Sequence, residues 1–148
     1  FRHMGLEGLG VVACALNERL LQSHDGAIRI APAVTAALSA DFTLHADGGH
    51  VVSARIRDGK PLWLLIEIGR SGACRVINPW SGVRMTGPDG TAAESAAAEL
   101  TLSGDPGDLW LLQDAATPVE PELRLHPEAP AVHRHADGIA RIGIPRLF

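Results

Sequence analysis

The sequence predicts a mainly β fold, with one N-terminal helix followed by an antiparallel β-sandwich-like domain. Three observations predict it. Apolar residues recur at helical spacing over residues 6–22, the period shortens to two from residue 27 onward, and glycine-bearing turns separate the alternating stretches. Short strands punctuated in this way are the pattern of a sandwich.

The helix comes first. Leu9, Val12, Leu16 and Leu20 fall on one face with Ala13 and Leu21 beside it, while Asn17, Glu18 and Gln22 lie elsewhere. Ser23-His24-Asp25-Gly26 stops it, and Gly26 suits the left-handed conformation that a helix end requires. A helix this apolar needs a surface to cover, supplied by the following sheet or by a part of a larger protein. Phe1 leads almost at once into helical sequence, and the start is read as a cut edge.

Ala27-Ile28-Arg29-Ile30 alternates up to Pro32 and reads as a short strand. Phe42, Leu44 and Ala46 alternate with Thr43 and His45 before the turn residues Asp47-Gly48-Gly49. Val51 to Arg57 is a further strand. Asp58-Gly59 signals a type I′ hairpin, whose two central residues both need positive φ. Leu62 to Ile68 follows as a mostly buried strand, and Cys74 to Ile77 returns after Ser71-Gly72. Residues 42–80 therefore read as a four-stranded antiparallel meander.

Beyond Trp80, Leu100-Thr101-Leu102 and Leu109 to Leu112 read as two strands joined through Gly104 to Asp108. Ala92 to Leu100 is Ala-rich and reads as a helical turn. Pro118 to Pro130 holds four prolines and reads as an extended surface segment, with Ile139 to Ile144 as a closing strand.

Composition sets limits on function. The chain has 148 residues, 46% hydrophobic and 20% charged, which is a globular balance rather than a disordered one. A net charge of −4, with basic residues scattered singly, gives no footprint for nucleic acid. Apolar runs such as Leu62 to Ile66 are far too short to span a bilayer, so no membrane partner is expected. Cys14 and Cys74 are the only cysteines, and both are expected to be buried thiols.

Few residues suggest chemistry. His133 and His135 would share one face of a strand, but a metal site takes three or four ligands and no third is visible. No metal site and no cofactor is expected. Asp105 and Asp108 flank a Pro-Gly turn and are explained by turn chemistry. Trp63 and Trp110 sit in apolar runs and read as core residues. Trp80, after Asn78-Pro79, is the tryptophan best placed to stack on a sugar ring, and His24 sits at the helix-to-sheet corner, where a loop can present side chains to a neighbouring site. These two are the candidate substrate-binding residues.

One stretch goes further. Leu20-Leu21-Gln22-Ser23-His24-Asp25-Gly26-Ala27-Ile28-Arg29, then Pro32-Ala33, resembles the junction in glycoside hydrolase family 95, the α-L-fucosidase family. Leu44 to Ala54 resembles that family's Leu-Arg-Ala-Arg-Gly-Gly-Phe strand pair, and Cys74-Arg75-Val76 before Asn78-Pro79-Trp80 fits its following strand. The likeness covers about residues 1–80. It implies that residues 1–26 are the last helix of an (α/α)6 barrel and residues 27–148 a C-terminal antiparallel β domain packed on that barrel. The family's base segment, Phe-x-Ile-Asp-Gly-Asn-Phe-Gly, corresponds to Phe1 to Gly8, with Met4 where the Asp would be and Leu6 where the Asn would be. A thioether cannot act as the base that an inverting glycosidase needs. No catalytic role is therefore carried over, and the general acid would lie outside this chain.

The resulting expectation is an accessory β domain whose partner is a helical barrel of the same parent protein. The alternatives are a free-standing carbohydrate-binding module and a self-association module that uses the helix.

Overall fold

The computed structural model describes residues 6–70, 72–119 and 121. Helix α1 (Leu6–Leu20) runs into strand β1 (Leu21–Gln22), followed by β2 (Ala27–Ile30) and β3 (Ala40–His45). A single 3-10 turn, Asp47–Gly49, precedes β4 (Val51–Arg57), β5 (Lys60–Glu67) and β6 (Ala73–Ile77). The described strands end with β7 (Val83–Thr86), β8 (Ala92–Ser95), β9 (Glu99–Ser103) and β10 (Leu109–Asp114). The fold is mainly β, one helix followed by a β-sandwich-like domain of two sheets. The smaller sheet has the order β1-β2-β6-β9 and the larger β3-β4-β5-β10-β7-β8.

Alternation along the strands builds the core between them. Val52 and Ala54 of β4, Leu64 and Ile66 of β5 and Leu112 of β10 meet Ile28 and Ile30 of β2, Val76 of β6, and Leu100 and Leu102 of β9 in one buried cluster. Val52, Leu64, Ile66, Val76 and Leu112 are fully enclosed. Burying side chains of this kind stabilises by roughly 1.5–3 kcal/mol each, which makes this cluster the main source of the fold's stability. The Asp58-Gly59 hairpin forms as expected, with φ of 51° and 73°.

Several elements differ from the sequence reading. The helix stops at Leu20 rather than Gln22, because Leu21 and Gln22 pair with Ile30 and Arg29 and Leu21 enters the core. The Ala31 N–H donates to Leu20 O at 2.8 Å and fastens the helix end to the sheet. The four-stranded meander is a three-stranded one. After Ile68 the chain crosses to the smaller sheet, since the free edge of β5 is taken by β10. There β6 lies parallel to β2, an exception to the antiparallel expectation, and antiparallel to β9. The strands at 100–102 and 109–112 exist as β9 and β10 but belong to different sheets. Ala92 to Ser95 is strand β8 rather than a helical turn, held by pairing with β7, which the sequence reading missed. The closing strand at 139–144 and all but the start of the proline-rich segment lie outside the described residues.

The outer face of the larger sheet carries a row of paired residues across all its strands: Asp41, Arg55, Trp63, Gln113, Arg84 and Glu94. Trp63 is buried, as its apolar context suggests, yet on the face turned away from the shared core. The Arg55 guanidinium lies 5.6 Å from the Trp63 ring centroid, and Asp41 accepts from Arg55 at 3.1 Å and from Arg57 at 2.7 Å. Gln113 donates to the Val119 carbonyl, so the chain after β10 returns over this face.

Helix α1 stands apart from this packing. Gly8 through Arg19 are all exposed, and among the described residues the helix makes extensive contact only with β1, its own continuation.

Candidate functional site

The segment expected to be the helix-to-sheet corner, Ser23 to Gly26, is instead the β-turn of the β1–β2 hairpin within the smaller sheet. Gly26 N–H donates to Ser23 O at 3.0 Å, and Gly26 has φ 78°, a conformation that favours glycine. Asp25 accepts from the Arg29 guanidinium at 2.6 Å and from the Ala27 N–H at 3.3 Å. The Arg29 hydrogen bond, foremost, holds the Asp25 carboxyl down to about 2. His24 is exposed at the tip of this turn.

The β1–β2 turn leans on the turn after β3. Ser23 Oγ accepts from Asp47 N–H at 2.9 Å, and the Asp47 carboxylate accepts from Gly48 N–H at 2.9 Å. A groove of about 390 Å³ opens here, lined by Ser23, Ile28, Asp47, His50, Cys74, Arg75 and Thr101 among others. His50 is its buried polar member at 3% exposure, and its Nδ1 accepts from Gly69 N–H at 2.9 Å. That bond depends on the absence of a side chain at residue 69. A Cβ on Gly69 would come within 2.3 Å of the Gly49 carbonyl carbon. Burial pushes the Cys74 thiol up to about 11, so it behaves as a packing group rather than a nucleophile. Arg75 is held by Glu99 through two bonds of 2.7 and 2.9 Å.

Trp80 lies elsewhere. Its indole N–H donates to Pro61 O at 2.9 Å, its backbone N–H to Asn78 Oδ1 at 3.0 Å, and its ring packs partly buried against the core. The groove sits at the Ala73 end of β6 and Trp80 follows the Ile77 end. At about 3.3 Å per residue, that strand alone separates them by roughly 13 Å. His24 follows groove-lining Ser23 in the turn but does not itself line the groove, and Trp80 lies beyond the opposite end of β6, so the structure does not bring the two candidates together.

Cys14 is a correction. It was expected to be buried and is exposed on α1, while Cys74 is buried as expected. Asp105 and Asp108 bond each other across their turn, Asp105 N–H to Asp108 Oδ2 at 2.8 Å, as turn chemistry requires. No cluster of three metal-ligating side chains occurs among the described residues. His133, His135 and Met4 lie outside them.

His50 is the residue that sequence reasoning passed over. Its signal was parity, because it stands two and four residues before Val52 and Ala54, on the same face of an alternating stretch.

Compared with known protein families the chain matches none, and no curated protein is significantly similar to it.

Proposed function

We propose that this chain is the accessory C-terminal β domain of a glycoside-hydrolase-like, α-L-fucosidase-like protein, and that α1 packs into that protein's helical barrel. The observation that carries the reading is the character of α1. From Gly8 to Leu16 it has no charged or amide side chain, yet Leu9, Val11, Val12 and Leu16 are 60, 69, 57 and 53% exposed. Leu9 and Val11 are separated by about 200° around the helix axis, so the apolar surface is not a single stripe. A helix apolar on opposite sides is built to be surrounded. A flat sheet would cover one side, whereas neighbouring helices of a barrel would cover two or more. The resemblance of residues 20–33 to the barrel-to-β-domain junction of family 95 supplies the identity of that barrel.

In this reading the chain carries structure rather than chemistry. It holds the last barrel helix at a fixed angle through β1 and presents the Ser23 to Gly26 turn towards the barrel. The test is the parent protein, recovered by sequencing the coding region on the 5′ side of Phe1. The expected result is a helical repeat with a carboxylic-acid candidate, and strong protection of residues 8–19 from hydrogen exchange in the full-length protein. Equal protection of those residues in the 148-residue chain alone would refute the proposal.

A further inference from the structure

The groove beside the β1–β2 turn is a second feature, independent of what covers α1. Buried Ile28 and Cys74 lie at its base, and its open part is lined by exposed Ala73 and by the polar side chains of Ser23, Asp47, Arg75 and Thr101. These polar groups have bonding capacity to spare. Ser23 Oγ accepts from Asp47 N–H, which leaves its hydroxyl hydrogen to donate. A carboxylate offers about four acceptor positions, and Gly48 N–H occupies one on Asp47. A guanidinium has five donors, of which Glu99 takes two from Arg75. Thr101 adds a hydroxyl on an exposed strand.

The charges narrow the ligand class. Arg75 is neutralised by Glu99, so an anion would face the Asp47 carboxylate without a compensating charge. A wholly apolar ligand would strip water from Asp47 and both hydroxyls without replacing those hydrogen bonds, which is unfavourable for each polar group left unpaired. A neutral molecule with several hydroxyls and one apolar face meets both conditions. A groove of about 390 Å³ is at the lower end of the range for ligand sites and has room for a single sugar ring.

We propose that this groove binds one neutral, hydroxyl-rich ring of monosaccharide size, with Asp47 and the Ser23 and Thr101 hydroxyls as its polar contacts.

The test is a titration of the 148-residue chain followed by amide chemical shifts. The probes are neutral hexoses, pentoses and 6-deoxyhexoses, with glucuronate and glucosamine as charged controls. The proposal expects saturable shifts at Ser23, Asp47 and Thr101 with at least one neutral sugar and weaker binding of glucuronate. Thr101→Val should weaken binding about ten-fold, the effect of one lost hydrogen bond, and Thr101→Ser should restore it. A merely structural role for an exposed strand residue would not separate those two variants. No saturable shift with any neutral sugar, shifts confined to the surroundings of Trp80, or equal binding to Thr101→Val would overturn it.

Discussion

Gly69→Ala is the sharpest probe of how the two sheets are joined. Residue 69 lies where the chain leaves the larger sheet, pressed against the 3-10 turn. An added Cβ would stand 2.3 Å from Gly49 C and 2.5 Å from the carbonyl oxygens of Gly48 and Gly49. All three are backbone atoms, so no rotamer change relieves the contact and the turn must move. Overpacking of this kind costs about 1–3 kcal/mol. The displacement also stretches the bond from Gly69 N–H to buried His50, worth about 1 kcal/mol more. The sum is about 3 kcal/mol. At about 4 °C per kcal/mol for a domain of this size, the melting temperature should fall by roughly 12 °C. Gly10→Ala is the matched control. Nothing lies within 4 Å of its added Cβ, and it should stabilise α1 by about 0.5–1 kcal/mol. Urea unfolding of both variants checks the pair. A Gly69→Ala protein within about 0.5 kcal/mol of the parent chain would refute the close-approach argument.

Three further outcomes are expected. A thiol-specific disulfide reagent at mildly alkaline pH should titrate exposed Cys14 quickly and Cys74, with its thiol near 11, only after denaturant is added; rapid labelling of both would contradict the burial of Cys74. Asp41, held to about 2 foremost by the Arg57 hydrogen bond, and Asp25, held there by Arg29, have folded-state values below the ordinary 3.8. Their contribution is present above that value and is lost as pH falls from about 4 towards 2. Urea midpoints should decline over that window, and less so in Asp41→Asn; a flat profile would dismiss these pairs as stabilising. Leu16→Asp, on the 53% exposed side chain, should leave the stability of this chain within about 0.5 kcal/mol, whereas Leu64→Ala should cost about 2–5 kcal/mol in the same denaturation assay.

The strands that alternate strictly were legible in the sequence. Val51 to Arg57 has the written boundaries, and the Asp58-Gly59 turn follows from two residues that tolerate positive φ. What the sequence did not show is which strand neighbours which. Cys74 to Ile77 has the pattern of a fourth meander strand, and nothing local says that Leu109 to Asp114 will occupy the edge of β5 instead. Ala92 to Ser95 has helical propensity, and only pairing with Val83 to Thr86 makes it a strand. Helix α1 was legible in position, but its exposure is a property of the fold. The groove was illegible for the same reason, because Ser23, Asp47, Cys74 and Thr101 come from separate segments that meet only once both sheets close. His50 alone was within reach, through its parity with Val52.

The two-residue strand β1 has a mechanical consequence. Between α1 and the sandwich there is no slack: Leu20 is tied to Ala31, and Leu21 and Gln22 are laced to β2. A rotation imposed on the helix is therefore transmitted to the smaller sheet as torque rather than absorbed by a hinge. Under tension along the helix, those bonds share the load with the Arg19 to Ala33 hydrogen bond and the burial of Leu21. Together they set the point at which the helix can be peeled from the domain.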